Sequence, residues 1–226
     1  MTPILSAFYF GTVEHYRLLA QYQKVIIDIG EHYERQSYRT RTSIVGPNGV
    51  QDLVVNIHRR SGEKMPMQTV GLSYVESWPQ QHVHAIRSAY GNTPWFIHFI
   101  DEIEAVVLKK YVRLVDLDLA TMHLGMKWLG LRTEIEVSER YVERSGELRV
   151  ASGECGPDAP HSSLATHHSI LDLRSSFQPK KALPPDISPA PPYTQIFDDR
   201  HGYQARLSMI DLVMNTGPDA KHLIRS

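Results

Sequence analysis

Ile4-Leu5-Ser6-Ala7-Phe8-Tyr9-Phe10, then Gly11-Thr12, then Val13-Glu14-His15-Tyr16-Arg17-Leu18-Leu19-Ala20-Gln21-Tyr22, and after Gln23 the run Lys24-Val25-Ile26-Ile27-Asp28-Ile29, decide the fold class. Residues 4–10 form an apolar run of strand length, and Gly11-Thr12 breaks it. Residues 13–22 place Tyr16, Leu19 and Ala20 on one helical face. Residues 24–29 carry β-branched side chains at their centre and predict a second strand. Strand, helix and strand in this order form one βαβ unit, whose two strands run parallel.

Outward from that unit, polar and aromatic residues alternate from Gln36 into Thr42-Ser43-Ile44-Val45. Gly46-Pro47-Asn48-Gly49 is a turn signal, and residues 50–57 are again β-branched. Together they predict a β-hairpin with an Asn-Gly turn. Residues 69–74 predict another short strand. Helices are expected over 78–90, with Ser77 as N-cap and Pro79 in the first turn, and over 95–109 and 116–129. Gly130 falls at the C′ position of the last of these. Residues 134–137 read as a strand, 143–161 as a polar loop and 168–173 as apolar again. Residues 178–192 hold six prolines and read as an extended surface connector. Residues 193–197 predict a strand that returns the chain, and 207–214 a closing helix. The expected architecture is a single mixed α/β domain over 1–226: strand–helix–strand and hairpin first, helices in the centre, then a returning C-terminal segment and helix.

A chain of 226 residues can bury about 70% of its unfolded surface. Its 42% hydrophobic and 22% charged residues are ordinary for a soluble domain. A formal net charge of -1 argues against bulk binding to nucleic acid or to anionic membranes. One cysteine, Cys155, excludes an intrachain disulfide framework. The N-terminus has no signal-peptide pattern, and no apolar run is long enough to insert into a membrane. The expectation is a cytoplasmic protein with neither cofactor nor resident metal.

Several stretches, in order along nearly the whole chain, resemble the WbqC-like family. They are Tyr33-Glu34-Arg35-Gln36-Ser37-Tyr38-Arg39-Thr40-Arg41, Pro47-Asn48-Gly49-Val50, Leu53-Val54-Val55, Trp78 with His82, and Ala89-Tyr90 before Pro94-Trp95-Phe96. The tail adds Arg200-His201-Gly202-Tyr203, Leu207-Ser208-Met209-Ile210-Asp211-Leu212 and Asn215-Thr216-Gly217-Pro218. The resemblance implies a role in surface-polysaccharide (O-antigen) assembly, and with it a transferase that passes an acyl or aminoacyl group to a nucleotide-linked amino sugar. The other expectation is a non-catalytic protein that binds a sugar intermediate or a partner enzyme. The chain departs from the family pattern at Thr40 and Arg206, each in place of asparagine, and at Asn56 in place of proline. Substrate choice is expected to differ if Thr40 or Arg206 lies in the site.

Arg39 and Arg41, two apart, would share one strand face with Ser37 and could grip a phosphate or carboxylate, as in a nucleotide sugar. The plainer alternative is pairing to acids of the fold. Gln36 belongs to the same substrate-binding set. Asp199-Arg200-His201 places a carboxylate, a cation and a titratable base in sequence. His201, supported by Asp199, is the candidate general base, and Arg200 a substrate-binding group or a staple for the tail. Trp78 and His82 are four apart on one helix face and could line a sugar pocket or pack as core. His84 lies off that face. His161, His167 and His168 lack a metal-ligand pattern, and Cys155 has no visible partner base. Gly11-Thr12-Val13-Glu14-His15 is placed like the phosphate loop of HIGH-type nucleotidylyltransferases, but the second histidine is missing.

Overall fold

The computed structural model describes residues 2–58, 64–143, 170–185 and 187–226. The elements, in chain order, are β1 (Thr2–Leu5), α1 (Val13–Ala20), β2 (Lys24–Asp28), β3 (Arg41–Gly46), β4 (Gly49–Val54), α2 (Trp78–Tyr90), α3 (Phe96–Val107), α4 (Leu114–Leu129), β5 (Glu134–Ser138), β6 (Ile170–Asp172), α5 (Asp198–His201), α6 (Met209–Thr216) and α7 (Ala220–Arg225). The fold class is mixed α/β, as expected. β1 and β2 are parallel, with Ile4 opposite Ile26 and Leu5 opposite Ile27. β5 adds in parallel to β2 and β6 in parallel to β1, giving the order β5-β2-β1-β6. Val25, Ile26 and Ile27 are fully buried, as a central parallel strand requires.

The chain leaves β1 towards β2 on one side, and β6 lies on the other. The strand order therefore reverses beside β1. In open parallel sheets the carboxyl ends at such a reversal are where ligands bind.

β3 and β4 form an antiparallel hairpin, with Arg41 opposite Val54 and Gly46 opposite Gly49. The two residues between the strands are Pro47 and Asn48, not Asn48 and Gly49. Gly49 instead opens β4 at φ +108, where a side chain would be strained. α2 covers the inner hairpin face, and α4, α6 and α7 complete the core. Gly130 caps α4 at φ +60, as the sequence suggested.

Other expectations are corrected. β1 ends at Leu5, although residues 6–10 are as buried as the strand. They are covered by α4 and the C-terminal segment: the Phe10 amide donates to Thr121 Oγ1, and its carbonyl accepts from the Thr42 and Ser208 hydroxyls. An apolar run alone does not separate a strand from a buried loop. Residues 69–74 form no strand. Gly71 and Leu72 make single bridges to Arg113 and Ile57, either side of a path that has no continuous partner. Residues 193–197 form no strand either. There, side chains replace the ladder: Asn215 accepts from the Ile196 amide, and Gln195 bonds both the amide and the carbonyl of Gln204. Ser77 is the N-cap of α2 but makes no side-chain cap bond. α7 was not anticipated. Cys155, His161, His167 and His168 lie outside the described residues, as does nearly all of the expected loop over 143–161.

The carboxyl ends of three strands meet at Arg39, which is 2% exposed. Its guanidinium donates to both oxygens of Glu31 beyond β2, at 2.9 and 2.8 Å, and to Ser6 Oγ beyond β1 at 2.7 Å. Ser6 donates to the Arg174 carbonyl beyond β6. Removing one partner of a buried, fully bonded ion pair leaves an uncompensated charge. Glu31→Ala is therefore expected to destabilise the fold by about 3–5 kcal/mol in urea unfolding. The double change Glu31→Leu/Arg39→Met should recover much of that loss.

Candidate functional site

The expected pairing of Arg39 with Arg41 on one strand face does not occur. β3 begins at Arg41, and residues 38–40 turn, so Arg39 points into the interior network. Arg41 instead stands on the outer face of the hairpin. Its Nη1 lies 3.2 Å from Asp52 Oδ2, and Asp52 also accepts from Ser43 Oγ at 2.6 Å. The Nε of Arg41 is buried and has no hydrogen-bond partner. A buried donor without a partner costs about 1–3 kcal/mol, so a ligand atom or water is expected to complete it.

Arg41 lines a cleft of about 460 Å³, together with Tyr33, Arg35, Gln36, Thr40, Asn56 and Glu76. Gln36 adopts φ +54, a conformation rare for a residue with a side chain. The Tyr33 hydroxyl and Thr40 Oγ1 are 3.2 Å apart, and Asn56 Nδ2 donates to Glu76 at 2.9 Å. Two of the three departures from the family pattern, Thr40 and Asn56, thus line this cleft.

Trp78 and His82 do share a face, with ring centroids 5.1 Å apart. Both are buried. The His82 Nε2 faces the Val54 carbonyl at 3.2 Å, so it carries the proton, and Nδ1 accepts from the Tyr9 hydroxyl at 3.0 Å. The Trp78 indole donates to the Ser73 carbonyl. With both imidazole nitrogens engaged, His82 ties the β1–α1 loop to α2 and to β4.

Asp199, Arg200 and His201 lie on the helical turn α5, not on an irregular segment. His201 Nε2 donates to the Pro47 carbonyl at 3.1 Å, fixing this turn to the hairpin tip. Asp199 and Arg200 are exposed. Arg41 stands at the base of the same hairpin, roughly 15–20 Å away at ~3.4 Å per residue. The candidate base and the arginine of the cleft therefore occupy opposite ends of one ribbon.

Three buried groups near the carboxyl end of the sheet are absent from the expected site residues. Glu14 Oε2, both ring nitrogens of His15, and both carboxylate oxygens of Asp118 are buried without partners. Burial pushes the His15 pKa down to about 3 and that of Asp118 well up, the latter partly offset by Arg39. Only the placement of Glu14 and His15 just after a strand and a glycine hinted at them. Nothing in the sequence marked Asp118, which sits among the buried residues of α4. Among the described residues no group of three His, Cys, Asp or Glu side chains is placed to hold a metal ion, and no helix is long and apolar enough to cross a membrane.

The family model described as the WbqC-like protein family matches residues 7–223. The chain belongs to that family. No curated protein and no solved structure matches it.

Burial pushes the His82 pKa down to about 4, against the opposing bond to Val54. An unfolded imidazole takes up its proton near 6.5, before the folded one does. The stability tied to neutral His82 is thus complete above pH 6.5 and lost as pH falls towards 4. His82→Gln is expected to shrink that acid loss by up to about 3 kcal/mol, read from urea midpoints at pH 7 and pH 4.5. An unchanged loss would separate His82 from acid sensitivity.

Proposed function

We propose that this WbqC-like protein is a transferase of surface-polysaccharide assembly that binds a nucleotide-linked amino sugar in the Arg41 cleft. The observation that carries this reading is the buried, unpartnered Nε of Arg41 in a cleft that also holds Arg35 and Gln36. A guanidinium with a free N–H presents charge and direction to a phosphate oxygen, whereas a lysine would offer charge alone. Asn56, Thr40 and Ser73 supply neutral donors and acceptors suited to sugar hydroxyls. The position of the cleft beside the carboxyl end of a parallel sheet agrees with where such folds bind ligands.

In this reading Arg39 holds the loop that shapes the cleft and does not touch the substrate. His82 supports its floor through the Val54 carbonyl and Trp78 through the Ser73 carbonyl. His201, with Asp199 and Arg200 beside it, secures the tail to the hairpin tip. Acyl or aminoacyl transfer to the sugar amine then needs a proton acceptor closer to Arg41 than His201. The second reading, a binding or assembly protein without turnover, draws support from that same separation of His201 from Arg41.

Calorimetric titration with UDP-linked amino sugars tests the first reading. Binding should weaken at least ten-fold in Arg41→Ala and fall steeply with added salt, and it should persist in His201→Ala. Binding indifferent to Arg41, or none across the series, would overturn it. Binding without turnover on any acyl or aminoacyl donor would favour the assembly protein.

A further inference from the structure

Three segments line the Arg41 cleft: residues 33–41, 54–57 and 73–76. The first brings two cations, Arg35 and Arg41. The third brings Glu76, the one acid among the described lining residues. Arg41 is paired to Asp52 on the hairpin. Glu76 forms no ion pair among the described residues. Its Oε2 accepts a hydrogen bond from Asn56 Nδ2 at 2.9 Å, and among the described residues nothing donates to its Oε1. A carboxylate with a free oxygen and a guanidinium with a free N–H thus line one space of about 460 Å³.

The backbone that carries Glu76 is held on both sides. The Ser73 amide donates to the Asn56 carbonyl at 2.8 Å, and Ile57 bridges to Leu72, so the second and third segments run side by side. The Trp78 indole donates to the Ser73 carbonyl. The Tyr74 ring stacks on Trp78 with centroids 5.7 Å apart, and its hydroxyl donates to the Tyr111 carbonyl. Asn56 therefore acts twice: its carbonyl fixes residue 73 and its side-chain amide fixes the Glu76 carboxylate. Glu76 itself is exposed, so a ligand in the cleft reaches it without rearranging the fold.

Starting from the reading in which Arg41 holds a nucleotide sugar, we propose that Glu76 is the specificity-determining residue for the amino group of that sugar, with Asn56 as its positioning residue. The phosphate oxygens meet Arg41 and Arg35. The sugar ammonium donates to Glu76 Oε1 while Asn56 keeps Oε2. Charge sets the preference. A nucleotide sugar without a cation brings only like charge to Glu76, and two like charges repel. An N-acetyl group or a hydroxyl in the same place offers a dipole where the ammonium offers a full charge, and the attraction to the carboxylate falls accordingly. A cleft of this volume lies within the roughly 300–1,000 Å³ of small-molecule sites, so phosphate and sugar fit in it together.

The test is calorimetric titration of the full chain with three probes: UDP-glucosamine with its free amine, UDP-N-acetylglucosamine and UDP-glucose. The free amine is expected to bind about ten-fold tighter than the other two, the scale of one charge-assisted hydrogen bond. Glu76→Gln, which keeps size and removes charge, should bring the three affinities together. Asn56→Ala should narrow the gap and leave the affinity for UDP-glucose as it was. Arg41→Ala should weaken all three alike and preserve their ratio. Equal affinities in the unchanged protein would overturn the assignment of Glu76. So would a preference that Glu76→Gln leaves intact. In both cases binding that still depends on Arg41 would leave the nucleotide-sugar reading standing. No binding of any probe would overturn that reading and the role of Glu76 with it.

Discussion

The rest of this molecule depends on the buried guanidinium of Arg39. It binds Glu31 after β2 and Ser6 after β1, and through Ser6 it reaches the backbone beyond β6. Three parallel strands thus deliver their carboxyl ends to one charge. A cation this deep is tolerable because each of its three nitrogens donates to a carboxylate, with Ser6 taking a further bond and Glu34 a weaker one at 3.4 Å. A second network, in which Arg174 contacts Asp28 and Asp172, closes the same end of the sheet. The Arg39 bonds tether the segment that carries Gln36 and Arg41 into the cleft.

That rigidity explains how unpaired groups persist nearby. Arg41 Nε, Arg206 Nε and Glu14 Oε2 are each buried without a partner. In a loosely held loop such atoms would turn towards water. Here Arg41 is held by Asp52 and Arg206 by two carbonyls. Arg41 is thus fixed before any ligand arrives, and that arrangement lowers the ordering cost of binding.

Much of the fold was legible in the sequence. The βαβ opening, the hairpin, α2 and the Gly130 cap follow from apolar periodicity and turn chemistry. The errors have a common source. Residues 6–10, 69–74 and 193–197 are apolar or β-favouring, and each is satisfied by something other than a ladder: α4 and the tail, single bridges, or the side chains of Gln195 and Asn215. The site was less legible. Gln36 and Arg41 do meet in one cleft, but Arg39 was paired with Arg41 on the assumption of an extended strand where the chain turns. Asp199 and His201 are adjacent in sequence to a buried helix, which made them look central, yet they sit at the hairpin tip. Asp118 carries no sequence mark of its burial, and Glu14 only its place after a strand and a glycine, since a carboxylate's lack of a partner is a property of tertiary packing.

The claim at the centre of this account is that ligand binds at the base of the hairpin, around Arg41 and Gln36, and not at its tip. Amide hydrogen exchange with and without a UDP-linked amino sugar addresses it directly. Ligand should slow exchange in residues 33–41 and 52–57 and leave residues 47–49 and 198–202 unchanged. Slowing confined to 47–49 and 198–202 would contradict the account and return the site to His201.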